Sequence, residues 1–235
     1  AGMLVPGDCI RARADAVHER GGLMMRDCIA SGTLWVDMAA TGVDVLISAP
    51  QKGWSGSPCA GLVMLSAHGE TVLQETTSTS FSCDLKKWRE IMAAYENGGH
   101  AYHATMPTDG LRAFAEVMRE TREMGFANAR AAQEELGRRV RELLEGQGIK
   151  SHAATGFKAP SVVVSYTDDP EMQTGKKFAQ LGMQIAAGVP LQCDEAEDFR
   201  TFRIGLFGLD KLKDIDRTVS LFARTLEQIA IDDAA

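Results

Sequence analysis

Short apolar runs alternate with amphipathic segments in the first third of the chain. Residues 23–25, 43–47 and 62–65 are apolar and have the length of strands, and a Gly/Ser/Pro-rich loop follows the second run. Residues 34–41, between the first two runs, have a helical pattern. The order strand, helix, strand predicts two parallel strands joined by a crossover helix, with their carboxyl ends at one edge of a sheet.

A Ser/Thr-rich segment at residues 76–80 predicts an exposed loop after these strands. Asp84 is suited to cap a helix at residues 85–96, because its side chain can accept a hydrogen bond from the first turn. The apolar stripe of this helix consists of Trp88, Ile91, Met92 and Tyr95. Such a stripe is typical of an amphipathic helix.

Longer helical patterns at residues 107–125 and 126–148 mark a change in organisation. Helices and strands then alternate, with strands expected at 161–166, 185–189 and 202–208 and helices at 170–181 and 212–231. The second long helix has a charged side that we expect to be solvated, formed by Glu134, Glu135, Arg138, Arg139, Arg141 and Glu142. We therefore predict a first unit at residues 1–105 and a second, smaller unit at residues 106–235.

Composition and charge exclude several classes of protein. The 235 residues are 45% hydrophobic and 24% charged, which is typical of a globular protein. The formal net charge of −7 argues against a nucleic-acid partner. No apolar run approaches the roughly 18 residues needed to span a membrane, and the first residues do not resemble a signal peptide.

The five cysteines are scattered and form no CxxC pair, so we expect neither a disulfide framework nor a zinc site, and we expect a reducing cytoplasm. His100 and His103 are three residues apart, but no carboxylate lies near them at ligand spacing. We therefore predict no metal site.

Three charged residues occur where a charge is costly. Lys52 follows the strand at 43–47, and a lysine with a lowered pKa forms Schiff bases with carbonyls. The spacing alone favours an exposed lysine in a loop, because most lysines are solvated. Asp27 ends the strand that begins with residues 23–25, and it is either a helix cap or a site residue. Arg203 interrupts an apolar strand, where it either faces water on an edge strand or binds an anion.

The string Ser48-Ala49-Pro50-Gln51-Lys52, with the Gly-rich loop after it, resembles the cofactor-lysine segment of the class V, fold-type-I aminotransferases, which use pyridoxal phosphate (PLP). The resemblance implies that Lys52 carries the cofactor covalently and that Gln51 lies near its phosphate. Residues 22–31 resemble the strand whose Asp holds the pyridinium nitrogen. This implies that Asp27 keeps the ring nitrogen protonated, so that the ring can accept electrons, and that Ile29 packs against the ring face.

Two further motifs carry the same resemblance. Tyr102 and Thr105 form a Tyr-x-x-Thr-x-Pro pattern similar to the family segment that crosses the dimer interface. The resemblance implies a homodimer with shared active sites, in which both hydroxyls reach the cofactor phosphate of the partner. Arg203-Ile204-Gly205 resembles the family's Arg-Ile-Gly, which implies that Arg203 binds the substrate carboxylate through two parallel hydrogen bonds.

The family resemblance implies an α/β fold. We expect the C-terminal part of a PLP-transferase large domain, with a mostly parallel sheet in a three-layer αβα arrangement, followed by a small α+β domain. The N-terminal part of the family fold, with its Gly-rich phosphate turn and its ring-stacking aromatic residue, is expected to be missing from this chain.

The implied activity is amino-group transfer from alanine or serine to glyoxylate or pyruvate, as in the alanine–glyoxylate and serine–pyruvate branch. Phosphoserine aminotransferase and cysteine desulfurase are alternatives within the PLP enzymes. Gln51 argues against a desulfurase, because those enzymes have His before the lysine. A truncated, non-catalytic fragment that acts only as a dimerisation module is the alternative from another class.

Overall fold

The computed structural model describes residues 2–234 and has two small sheets. The first sheet has the order β1-β2-β3, formed by β1 (Met25–Asp27), β2 (Val45–Ser48) and β3 (Leu62–Leu65). β1 is parallel to β2, with Asp27 opposite Ile47, whereas β3 is antiparallel to β2. The carboxyl ends of β1 and β2 therefore lie at the same edge of the sheet, as the sequence predicted.

Four helices accompany the first sheet. These are α1 (Gly7–His18), α2 (Met38–Thr41), α3 (Ala67–Glu75) and α4 (Leu85–Glu96). The crossover helix α2 is shorter than the predicted 34–41, because Asp37 caps it by accepting a hydrogen bond from the Ala40 N–H. Helix α3 was not predicted from the sequence. Its cap is Ser66, whose hydroxyl accepts a hydrogen bond from the Gly69 N–H at 3.0 Å.

Helix α4 has the predicted bounds and the predicted cap, since the Asp84 carboxylate accepts a hydrogen bond from the Lys87 N–H at 3.1 Å. Its apolar stripe is only partly covered. Ile91 is buried, but Met92 and Tyr95 are 59% and 60% exposed. No element among residues 2–234 covers that face of α4.

The second sheet is antiparallel and has the order β4-β6-β5. It consists of β4 (Val162–Tyr166), β5 (Ala186–Ala187) and β6 (Thr201–Gly205). Its helices are α5 (Thr108–Met124), α6 (Phe126–Gly146), α7 (Pro170–Thr174), α8 (Lys176–Gln180), α9 (Leu209–Lys213) and α10 (Ile215–Ala234). The single helix predicted at 170–181 is split, because Gly175 adopts a left-handed conformation with φ +79° between α7 and α8.

The largest hydrophobic core lies between this sheet and helices α6 and α10. Its fully buried members include Leu136 and Val140 of α6, Phe178 of α8 and Phe202 of β6. The two long helical segments thus share a core with the second sheet. The boundary between units at residue 105 stays a prediction. None of the helices formed by residues 2–234 is long and apolar enough to cross a membrane.

The charged side of α6 is solvated at most of the predicted positions, and Arg138 there pairs with both Glu135 and Glu142. Arg141 is an exception, because it is buried and its guanidinium donates hydrogen bonds to the carbonyl oxygens of Gly137 and Ala159. The prediction that Arg141 is solvated was therefore wrong. Helical periodicity places it beside the charged residues, but the segment around Ala159 packs over it.

A backbone contact between two glycines joins the loops that follow β1 and β2. Gly53 is buried, and a Cβ atom added there would lie 1.9 Å from the Gly32 carbonyl oxygen. Gly32 itself has φ +66°, a conformation that favours glycine. The obstacle is backbone rather than a flexible side chain, so it cannot move aside without displacing the loop.

We expect Gly53→Ala to lower the free energy of unfolding by about 1–3 kcal/mol, because the methyl group overlaps the backbone of the neighbouring loop. Gly61→Ala is the matched control, since a Cβ atom at Gly61 meets no atom within 4 Å. Chemical denaturation of both variants provides the measurement. Equal stability of the two variants would show that the loops are not in contact.

Candidate active site

The carboxyl ends of β1 and β2 place Asp27 and Lys52 at one edge of the first sheet. Asp27 is the last residue of β1, and Lys52 lies in the turn that follows β2. The Asp27 carboxylate is exposed, and its Oδ1 atom accepts a hydrogen bond from the Ile29 N–H at 2.9 Å. This contact orients the carboxylate at the strand end and leaves Oδ2 available as an acceptor. Ile29 is half-buried beside it.

Lys52 is half-buried, and its Nζ atom lies 5.3 Å from the centre of the Phe207 ring. A cation over an aromatic face is attracted by the ring quadrupole. Among residues 2–234, no carboxylate lies within ion-pair distance of Lys52. The amine therefore has no charged partner among these residues, and in its neutral form it can react with a carbonyl. Gln51, immediately before it, is exposed.

The loop that carries Lys52 is connected to the second sheet. The Ser55 hydroxyl accepts a hydrogen bond from the Leu209 N–H at 2.8 Å. Phe207 and Leu209 both follow β6, the strand that carries Arg203. Sequence analysis did not select Ser55 or Phe207, because neither residue type is unusual in a loop. The only local sign is the backbone of Ser55, whose φ of 59° is uncommon for a residue other than glycine.

Arg203 lies on the middle strand of the second sheet, so the interpretation as an edge-strand residue was wrong. Its Nε atom donates a hydrogen bond to the Ala187 carbonyl oxygen at 2.8 Å. No carboxylate within residues 2–234 forms an ion pair with it. A half-buried guanidinium whose Nε is fixed by backbone still has its terminal nitrogens to donate to an anion.

Tyr102 and Thr105 lie in the loop between α4 and α5. Tyr102 is 81% exposed, and its hydroxyl oxygen lies 3.5 Å from that of Thr105. The hydrogen bonds recorded for residues 2–234 do not connect this pair to Lys52. The structure therefore brings Asp27, Ile29 and Lys52 to one sheet edge with Gln51, and leaves the hydroxyl pair on the surface.

A cleft of about 760 Å³ lies between the N-terminal segment and helix α6, and Asp27 borders it. Other side chains that line it include those of Cys28, Trp35, Arg138 and Arg141. Lys52 and Arg203 are not part of its lining. Asp27 therefore faces this cleft, whereas Lys52 and Arg203 lie outside it.

Known proteins similar to this chain were found by sequence. No family model matches it. A 2-aminoethylphosphonate–pyruvate transaminase of Syntrophobacter fumaroxidans is 28% identical over 230 residues, which cover 93% of this chain and 57% of that protein. The corresponding transaminase of Burkholderia ambifaria is 27% identical over 233 residues, which cover 98% of this chain and 60% of that protein. The chain thus spans less than two thirds of the length of these relatives.

Solved structures share the fold over a similar part of their length. Alanine–glyoxylate aminotransferase from Nostoc sp. superimposes with a TM-score of 0.77 at 20% identity, covering 96% of this chain and 58% of that one. Ureidoglycine–glyoxylate aminotransferase from Bacillus subtilis gives a TM-score of 0.78 at 20% identity, and the match covers 100% of this chain and 58% of that one. The predicted fold, part of a PLP-transferase, is confirmed. In sequence and in fold, the chain is similar to the class V PLP-dependent aminotransferases.

Proposed function

We propose that the protein is a PLP-dependent aminotransferase that transfers an amino group from a small amino compound to a 2-oxo acid. The observation that carries the proposal is the placement of Asp27 and Lys52 at the carboxyl ends of neighbouring parallel strands. Open α/β sheets bind their ligands at this edge. The relatives named above are transaminases, which supports the same activity.

The residues at the sheet edge fit the cofactor. Lys52 has an amine without a carboxylate partner among residues 2–234, as covalent attachment requires, and Asp27 has a free acceptor oxygen for the ring nitrogen. Ile29 would cover one face of the ring, and Gln51 would lie near the phosphate. When bound, the cofactor supplies an electron sink for the carbanion that forms at the substrate Cα.

Side chains of the protein would bind the substrate and move its proton. Arg203 would bind the substrate carboxylate with two parallel hydrogen bonds, which orients the Cα–H bond. The Lys52 amine would act as general base and remove the proton from Cα. Phe207 lies beneath the Lys52 ammonium and would restrict the positions that its Nζ atom can reach.

The acceptor that we propose is pyruvate or glyoxylate, and the donor is alanine or serine. The curated relatives are named for 2-aminoethylphosphonate, whose anionic group is a phosphonate, one carbon farther from the amine-bearing carbon than the carboxylate of alanine or serine. Arg203 is suited to either anion, because a guanidinium donates to phosphonate oxygens as it does to carboxylate oxygens. Assays of the full-length protein with each donor and each acceptor identify the pair.

We also propose a homodimer in which Tyr102 and Thr105 complete the partner's site. A contact with another molecule is supported by exposed side chains on α4 and in the loop after it. These are Met92, Tyr95 and Tyr102. A reducing cytoplasm is the proposed location, and the free state of the five cysteines agrees with it.

If Lys52 carries the cofactor, the protein with PLP should show a visible absorption band, and borohydride should fix the cofactor to this residue. Peptide mass spectrometry locates the attachment. Lys150→Ala, which changes an exposed lysine, is the control and should keep the band, whereas Lys52→Ala should lose it. Attachment of the reduced cofactor to another lysine would refute the assignment, and its absence from all lysines would favour a non-catalytic module.

Arg203→Lys keeps the positive charge and removes the planar fork. We expect KM for both substrates to rise by roughly tenfold or more, while PLP stays bound, because charged hydrogen bonds contribute about 1.5–3 kcal/mol each. Arg200→Lys is the matched control, since Arg200 precedes the same strand and only approaches the Asp198 carbonyl oxygen. Unchanged KM values in Arg203→Lys would place this residue outside the site.

Mixed dimers test whether the site is shared between subunits. Lys52→Ala should be inactive, and the double variant Tyr102→Phe/Thr105→Ala should hold PLP poorly, because both hydroxyl donors to the phosphate are lost. A heterodimer of the two contains one site with both defects and one intact site, so we expect about half the wild-type activity per heterodimer. Demonstrated heterodimers without any gain over the separate variants would contradict the shared site.

A further inference from the structure

Three metal-binding side chains converge at the opposite edge of the first sheet. His18 ends α1, Asp44 directly precedes β2, and His68 lies in the first turn of α3. The Nε2 atom of His18 lies 2.6 Å from Asp44 Oδ2, and the Nδ1 atom of His68 lies 3.3 Å from Asp44 Oδ1. The three ligand atoms lie within 4.8 Å of one another.

We propose that this cluster, His18–Asp44–His68, binds a zinc ion. Two imidazole nitrogens and one carboxylate oxygen form a donor set that zinc prefers, whereas calcium and magnesium require mostly oxygen ligands. Zinc bonds of about 2.0–2.2 Å in a tetrahedral site place the ligand atoms roughly 3.3 Å apart. His18 Nε2 and Asp44 Oδ2, which are 2.6 Å apart, therefore have to separate slightly to admit the ion. Small rotations of the two histidine side chains are sufficient to close the site around an ion.

Asp44 is already held in the orientation that a ligand needs. Its carboxylate is 5% exposed, and its Oδ2 atom accepts a hydrogen bond from the Met24 N–H at 2.8 Å, while Oδ1 accepts one from the Ser66 hydroxyl at 2.9 Å. Each carboxylate oxygen has a second lone pair for an ion. Supporting hydrogen bonds of this kind orient ligands in metal sites.

A glycine allows helix α3 to approach this carboxylate. A Cβ atom at Gly69 would lie 2.6 Å from the Asp44 carbonyl oxygen, so only glycine permits the observed packing. This close approach brings His68, the residue before it, over Asp44. Backbone contacts thus hold the start of α3 against Asp44, since the Ser66 N–H also donates a hydrogen bond to the Asp44 carbonyl oxygen at 2.8 Å. His18 reaches the same carboxylate from α1 through its side chain.

An ion can reach the cluster from solvent. The side chains of His18 and His68 are 33% and 51% exposed, and their rings are 5.9 Å apart at an angle of 74°. Tetrahedral zinc with these three ligands retains a fourth position for water. The ion would join the end of α1 and the start of α3 to the amino end of β2.

This site is separate from the one proposed for the cofactor. Asp44 precedes β2, whereas Lys52 follows it, and a strand of four residues alone is roughly 13 Å long. Zinc at the amino end of the strand therefore has a structural role and does not contact the reacting groups.

Isothermal titration of the chelator-treated protein with Zn²⁺ tests the proposal. We expect one ion per chain, and at least a tenfold loss of affinity in His18→Gln and in His68→Gln. His100→Gln is the matched control, because His100 is also exposed but lies outside the cluster. Zinc at one hundred times its Kd should raise Tm by about 5–10 °C, a shift that His68→Gln should lose.

Circular dichroism of the metal-free variants shows whether they retain the fold, and neither readout requires the cofactor or activity. Wild-type protein that takes up no zinc at micromolar concentrations would overturn the proposal. Uptake that is unchanged in both His18→Gln and His68→Gln would also overturn it, because the ion would then occupy other residues. In either case the cluster would only be a hydrogen-bonded junction of α1, α3 and β2.

Discussion

The contact between the backbones of Gly32 and Gly53 is the constraint on which the candidate active site depends. It allows the loops after β1 and β2 to approach without side chains between them. The parallel pairing of the two strands sets the position of Asp27 along the strand direction, relative to the start of the Lys52 loop. Pairing and contact together determine where the carboxylate and the amine lie, because neither loop belongs to a regular element.

The second sheet contributes to the same site through a short connection. The Ser55 hydroxyl accepts a hydrogen bond from the Leu209 N–H, and the Phe207 ring lies under the Lys52 ammonium. Both partners follow β6, so the strand that carries Arg203 is held in relation to the Lys52 loop. The large core around Phe178 and Phe202 makes this strand a rigid support.

The two edges of the first sheet differ in chemistry. At the carboxyl edge, Asp27 and Lys52 each lack a charged partner among residues 2–234, which suits groups that act on a bound molecule. At the amino edge, Asp44 is surrounded by donors from His18, Met24 and Ser66. Burial by itself raises the pKa of the Asp44 carboxyl group. The hydrogen bonds from His18, Met24 and Ser66 together outweigh this effect, so the pKa of Asp44 lies below its usual value. The donors around Asp44 orient its carboxylate, whereas Asp27 keeps an acceptor oxygen without a partner among residues 2–234.

Strand length and helical periodicity, which are local patterns, were enough to predict the parallel strand pair. The fold class and the candidate residues at the sheet edge came from the family resemblance carried by short strings such as the one around Lys52. Only the tertiary structure decided that Arg203 lies on a middle strand, that Arg141 is buried and that Met92 and Tyr95 are exposed. Each of these depends on which distant segment covers the side chain. The cluster of His18, Asp44 and His68 was missed for the same reason, since its members are far apart in sequence and become neighbours only when two helices pack against one strand.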